Sequence, residues 1–433
     1  MVRARPVAIL VFGTLLIAAC GAAPAEPTAP TATPGPGGTA SRSPGSVSST
    51  SPGPAPRDPS ASPVATGAVA SSAEWAAVGS AKLPGGTALL DVAATGPRDA
   101  WAVGYQDSAE DREGTPAVLR WNGSRWREMP LGELGEGAGA ARLEGVGAAG
   151  PDDVWVVGNG PSAFAAHWNG RAWAPHRPFG VAEDYRLADV TTSGGDAWFA
   201  ANGPSGAVVL EWAGGGFRNV LSTGGTFEAI TSGEGHVWAV GTSETGTPLA
   251  WHGTAGSWES LETPPIPGGR LDRVWQVSPS EVWAVGQVSA APAGPSGSET
   301  GPSAQAETPP DVRAGGEGAR PLVMRWDGTR WTRVEVPVSR GSLHGVTASG
   351  PGNLWISGVD ADHAGQVLVL HFDGTTWSRE YGPLFRTYTT TQQYDGTDDV
   401  GGTVLTRVPG TETLWAVGSV GVGDDEKAFV LRR

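Results

Sequence analysis

The chain has 433 residues, among them 66 Gly, 36 Pro, 19 Trp and one Cys, and a formal net charge of −15. Such acidity argues against a nucleic-acid partner, which needs clustered Lys and Arg. A single Cys rules out an internal disulfide and a cysteine-based zinc site. Many Trp beside many Gly point to a repeated all-β unit.

In chain order, Arg3 and Arg5 precede an apolar run over residues 7–19. That run falls short of the roughly 20 residues a membrane helix needs, and its positive start and small-residue end have the pattern of a secretory signal. It closes on Ile17-Ala18-Ala19-Cys20-Gly21. This resembles the lipobox of bacterial lipoproteins, which implies a signal peptide over residues 1–19, lipidation of Cys20, and a place on the extracytoplasmic face of the cell membrane. Residues 21–73 are nearly all Ala, Pro, Ser, Thr and Gly. With no apolar pattern to offset ordering entropy, residues 20–73 read as a lipidated Cys and a disordered tether.

From residue 74 the chain repeats. A Trp in a WAVG-like segment recurs at Trp101, Trp155, Trp198, Trp238, Trp283, Trp355 and Trp415. A second aromatic precedes an Asn-Gly or Asp-Gly pair, or its degenerate equivalent, at Trp121, Trp168, Trp212, Trp251, Trp326 and Phe372. A third follows the turn at Trp126, Trp173, Phe217, Trp258, Trp331 and Trp377. Each copy divides into four short strands, and the Asn-Gly pairs predict hairpins with positive φ at both central residues. Four antiparallel strands repeated radially are a β-propeller. The seventh copy stops before its fourth strand, at Lys427–Arg433, whereas an orphan around Trp75 has the character of one. The expected fold is therefore all-β, a seven-bladed propeller over residues 74–433 whose last blade is closed by the N-terminal strand. A Trp recurring at one place in every blade reads as core.

The segments VWAVG (Val282–Gly286) and RWDGTRW (Arg325–Trp331) resemble the kelch and galactose-oxidase-like propellers. HFDGTTW (His371–Trp377) more loosely resembles an Asp-box. The resemblance implies architecture and no particular activity.

Connections after the first and third strands are short, while those after the second and fourth vary, so binding residues are expected on one elaborated face. Residues 287–320 and 381–403 are the longest such connections. The candidate contact residues are Tyr381, Phe385, Tyr388, Tyr394, Asp395, Asp398 and Asp399, together with Trp275, which stands outside the three aromatic positions and is expected to line the channel. Residues 1–73 carry a net +2, leaving −17 on the propeller. An acidic variable face follows, with Asp107, Glu110, Asp111, Glu113, Asp360, Asp362, Asp424, Asp425 and Glu426 among its residues. Asp360-x-Asp362 is a fragment of a Ca²⁺ pattern without the loop spacing to complete it. His167 and His371 share one repeat position and read as structural. No residue is assigned to catalysis, metal or cofactor. These features predict a monomeric, lipid-anchored scaffold that binds a protein or glycan of the cell envelope, without nucleic acid; the alternative is a glycan hydrolase or lyase using carboxylates on the variable face.

Overall fold

The computed structural model describes residues 74–433 except 80, 110–113, 133–140, 179–183, 255, 290–317, 386–399 and 422–425. The expectations for the signal peptide, Cys20 and the tether lie outside the described residues.

The described residues form seven four-stranded antiparallel sheets. Blade 1 holds strands Gly86–Gly96, Asp99–Ser108, Thr115–Trp121 and Trp126–Glu128. Blades 2 to 6 repeat the pattern from inner strands Arg142–Gly150, Arg186–Ser193, Thr226–Gly233, Gly269–Ser278 and Gly341–Gly350. Blade 7 takes Val404–Arg407, Leu414–Val420 and Lys427–Arg432 from the end of the sequence and Ala76–Ala77 from the other end. Ala76 pairs with Arg432 and Ala77 with Leu431, and Val78 N donates to Val430 O at 2.9 Å. The protein is a seven-bladed β-propeller closed by its N-terminal strand.

The three aromatic positions build one interface. The second-strand Trp of each blade packs into a cluster shared with the next blade. Trp101 lies 6.0 Å from Trp168 and 5.8 Å from Trp173, centroid to centroid. Trp238 meets Trp326 and Trp331 at 5.7 and 6.1 Å. Trp415 meets Trp121 and Trp126 at 4.9 and 5.2 Å, so blade 7 joins blade 1 by the same contact. Tilted and edge-to-face arrangements at these separations are the favourable ones for aromatic pairs.

In every blade but the third, the third-strand residue directly opposite the second-strand Trp covers its ring, as Arg432 does for Trp415 at 5.5 Å. Arg120 stands 4.6 Å over Trp101, His167 stacks 4.4 Å from Trp155, His252 4.2 Å from Trp238, Arg325 lies 5.3 Å over Trp283 and His371 3.8 Å from Trp355. In blades 1 and 5 the first residue of the second strand holds both groups. Asp99 accepts from Trp101 Nε1 at 3.1 Å and from Arg120 Nε at 2.8 Å; Glu281 accepts from Trp283 Nε1 at 3.1 Å and pairs with Arg325 at 2.9 Å. Blade 3 has Glu211, an acid in place of the covering ring or guanidinium, opposite Trp198, and Trp198 is only half buried.

Two details position the axis. In blades 1 to 6 the register of the inner strand shifts at the same place: between Leu89 and Asp91, Leu143 and Gly145, Leu187 and Asp189, Phe227 and Ala229, Leu271 and Arg273, and Leu343 and Gly345. Each shift is a bulge that re-aims the following side chain. It also presses the inner-strand backbone against the Gly of WAVG. A Cβ on Gly104 or Gly286 would overlap the carbonyl oxygen of Ala88 or Arg270, and this close approach explains the glycine.

The Asn-Gly and Asp-Gly turns differ from expectation. Among the described residues only Asp107 and Glu234 are non-glycines with positive φ, so Asn122 and Asp327 are not left-handed. The loops span four residues instead of two. Asp327 Oδ1 accepts from Thr329 N and Arg330 N, both at 2.9 Å, and Asn122 Oδ1 accepts from Ser124 N and Arg125 N, both at 3.1 Å. The side chain closes the turn, and only the Gly that follows needs positive φ.

Candidate functional site

Chain direction sorts the connections onto two faces. Turns after first and third strands run from two residues (97–98) to six (408–413). Those after second and fourth strands run from two residues (204–205) to 31 (289–319). The inner strands start on this second, variable face. The mouth of the axial channel is therefore ringed by residues that open those strands at one register position, including Arg142, Arg186 and Arg270, with Glu144, Glu228, Asp272 and His344 one step deeper.

Below the mouth sits a cluster of charged side chains that the sequence reading passed over. An inner strand presents a free edge to the axis, and its backbone N–H groups need acceptors. Asp91 and Asp189 supply them. Asp91 accepts from Val92 N of its own blade and Val146 N of the next, both at 2.9 Å. Asp189 accepts from Val190 N at 2.8 Å and from Ile230 N of the next blade at 3.0 Å. These four donors occupy one repeat position, so the two carboxylates staple blade 1 to blade 2 and blade 3 to blade 4. The residue that follows the bulge is Asp91, Gly145, Asp189, Ala229, Arg273 and Gly345 in successive blades. Charged and small residues alternate, because a Cβ at Gly145 would crowd Asp189 Oδ1 at 2.8 Å.

Arg273 of blade 5 reaches across the axis. Its guanidinium donates to Leu90 O of blade 1 at 3.3 Å, to Asp272 O at 3.1 Å, and lies 3.9 Å from Asp91 Oδ1. Burial opposes its charge, but the carboxylates of Asp91, Asp189, Asp272 and Glu228 outweigh that and raise its affinity for its proton. Arg270 pairs with Asp272 at 2.6 Å. Burial lifts Asp272 to about 6 and, aided by the charge of Asp91, lifts Asp189 to about 7; burial also raises Asp91. Burial pushes His344 down to about 3, with Arg270 and Arg273 adding to the shift, so its imidazole is neutral.

The residues chosen from sequence lie elsewhere. Trp275 is on the inner strand of blade 5, half buried against the interface between blades 5 and 6 and paired in register with Trp283. Tyr381 is the last residue of a blade 6 strand and is buried; its hydroxyl donates to Asp360 Oδ2 at 2.7 Å, and burial first, then this bond, pushes its acidity far down. Phe385 stacks on Phe429 of blade 7 at 4.9 Å. These two aromatics fasten the root of the connection between blades 6 and 7 onto the blades. Tyr388, Tyr394, Asp395, Asp398 and Asp399 lie outside the described residues. Two acids expected on the surface face inward: Asp360 takes the Tyr381 proton donor, and the buried Glu426 accepts from Tyr105 Oη at 2.6 Å. Among the described residues no group of three or more His, Cys, Asp or Glu is arranged to hold a metal ion.

No family model matches the sequence, and no curated protein matches it. Among solved structures the chain is similar to YCF48 bound to a D1 peptide, at 14% identity and a TM-score of 0.50 over 83% of this chain and 96% of that one. It is similar to YCF48 from Cyanidioschyzon merolae at 13% identity and a TM-score of 0.49, over 83% of this chain and 98% of that one. It is also similar to the WD40 β-propeller domain of Doa1 at 10% identity and a TM-score of 0.49, over 82% and 96% of the two chains. At these identities the likeness is one of fold.

Proposed function

We propose that this chain is a lipid-anchored extracytoplasmic binding scaffold whose propeller presents its variable face to a protein or glycan of the cell envelope. The observation that carries the reading is the division between the two faces. Seven rigid blades hold short, uniform turns on one side and connections of very unequal length on the other, the usual setting for recognition loops. The large aromatics are committed to blade interfaces, and Asp91 and Asp189 accept from backbone donors of neighbouring blades. A propeller of similar fold, YCF48, binds a peptide, which supports a binding role in general. Kelch-like turn segments and the lipobox-like stretch ending in Cys20 complete the reading, the lipid holding the propeller at the membrane and the tether over residues 21–73 giving it reach.

The test joins anchoring to binding. Cys20→Ser should release the full chain from membranes. The released protein, titrated with purified envelope proteins and glycans, should show one saturable ligand. Replacing residues 386–399 or 290–317 by a short Gly-Ser linker should weaken that binding, while Arg125→Glu on the opposite face should not. Retention of the Cys20→Ser protein in membranes overturns the anchor, and binding indifferent to both loop replacements overturns the variable face as the recognition surface.

A further inference from the structure

The axial cluster does more than staple strands, because its charges do not cancel. The groups that face it are Asp91 from blade 1, Asp189 from blade 3, Glu228 from blade 4, Arg270, Asp272 and Arg273 from blade 5, and His344 from blade 6. Blade 2 contributes Gly145 at the same level and the Arg142–Glu144 pair, 3.1 Å apart, above it; blade 7 has the buried apolar Val404 at the equivalent register position. Four carboxylates therefore meet two guanidiniums and a neutral imidazole. Asp91, Asp189 and Asp272 are each less than a tenth exposed. An uncompensated carboxylate in such a place neutralises by taking up a proton instead of remaining charged.

The hydrogen bonds show where a proton can sit. Asp189 uses Oδ1 on Val190 N and Oδ2 on Ile230 N, and it also lies close enough to Asp91 for the two charges to repel. Asp272 Oδ1 pairs with Arg270, while its buried Oδ2 has no hydrogen-bond partner among the described residues. An anionic oxygen there would be unsolvated, whereas a protonated one removes the charge. Arg273 already divides itself between the carbonyls of Leu90 and Asp272 and the edge of Asp91, so it does not neutralise all three acids.

We propose that the propeller axis is a proton-binding site, in which the buried carboxyls of Asp91, Asp189 and Asp272, crowded together beside Glu228, take up protons from solvent through the variable-face mouth, so that the inner ring becomes more stable as its surroundings acidify. The direction follows from linkage. A carboxyl whose folded-state affinity for protons exceeds its unfolded one gives stability that is full below the ordinary carboxylate value, near 4, and is lost as pH rises through the folded value. Asp272 and Asp189, at about 6 and about 7, set the window between roughly pH 4 and 7. Each proton held changes the unfolding equilibrium constant by about tenfold per pH unit inside that window.

The experiment uses the intact protein carrying aspartate labelled with ¹³C at the carboxyl carbon, titrated by NMR in metal-free buffer, with Asp189→Asn and Asp272→Asn in parallel. One or two carboxyl resonances with midpoints between pH 5.5 and 7.5 are expected, and each variant should remove or shift them. Urea unfolding at pH 5, 6 and 7 supplies the second readout. The wild-type unfolding constant should rise with pH, and its slope should fall by up to one proton in Asp189→Asn even where that variant is less stable overall. If every aspartate titrates below pH 5, or if the slopes of wild type and both variants coincide, the proposal is wrong.

Discussion

Replacing Trp75 by Ala tests the closure of the ring at a single side chain. Trp75 is 3% exposed, packs with Trp355, Val367 and Leu431, and donates its indole N–H to Glu380 Oε2 of blade 6 at 3.0 Å. Glu380 also accepts from Arg433 at 3.0 Å, and Arg433 lies 4.3 Å over Trp355 and pairs with Glu74. Burying a Trp removes about 150–250 Å² from water, worth roughly 4–6 kcal/mol as an upper bound. Core Trp→Ala changes cost about 3–5 kcal/mol in practice. Because the strand it anchors has only the Ala76 and Ala77 pairings, little else resists its loss. We expect Trp75→Ala to lower unfolding stability by about 4 kcal/mol, measured by urea denaturation with native tryptophan fluorescence. Trp75→Phe keeps much of the packing but loses the N–H; with Arg433 still holding Glu380, it should cost about 1–2 kcal/mol. A loss below about 1 kcal/mol for the alanine variant, or an unchanged melting temperature after removing residues 74–80, would refute the claim that the N-terminal strand closes blade 7.

Three further outcomes follow from the repeat chemistry. Gly286→Ala forces a Cβ against Arg270 O and should cost about 1–3 kcal/mol by urea denaturation, more than an Ala substitution at Gly216, where nothing lies within 4 Å and φ is not positive. Glu281→Ala leaves the indole N–H of Trp283 and the guanidinium of Arg325 without their shared acceptor and should cost about 1–3 kcal/mol, with increased solvent quenching of Trp283 fluorescence. Asp327 is held down to about 2, first by the Thr329 hydroxyl and then by the Arg330 and Thr329 N–H groups; its turn should therefore persist at pH 4 and loosen only as pH falls toward 2, seen as a carboxyl titration midpoint below those of unbonded aspartates.

Much of this fold could be read from the sequence because the same physical demand recurs in every blade. The Trp of WAVG, the aromatic before the turn and the aromatic after it stay aromatic wherever they fall, since all three fill one inter-blade layer. The orphan Trp75 was legible for the same reason: a lone fourth-strand aromatic at one end matched a missing fourth strand at the other. The axial cluster was not, because its position changes chemical character from blade to blade. Asp91, Gly145, Asp189, Ala229, Arg273 and Gly345 share a place but no property, and their partners sit on other blades: Arg273 and Leu90 are 183 residues apart. The available signal was a charged residue inside the apolar L-x-D-V stretch, at Asp91 and again at Asp189. Tyr381 looked like a loop residue from its surroundings, whereas the pairing of Leu368 with Tyr381 and its bond to Asp360 place it in the blade. His167 and His371 read as a structural pair from the sequence, and Arg120 and Arg325 cover a tryptophan ring from that same position.

The split seventh blade also sets the order of events during synthesis. Ala76 meets Arg432 only after some 350 intervening residues have been made and folded. Holding two ends of such a chain together costs about 3 kcal/mol more than closing a ten-residue hairpin, by the logarithmic dependence of loop entropy on length. Until the last strand emerges, blade 1 presents Leu89, Val92 and Trp126 to solvent where blade 7 will cover them. A nascent or truncated chain is therefore marked by that uncovered apolar flank, and the ring certifies its own completion when Trp75 is finally buried.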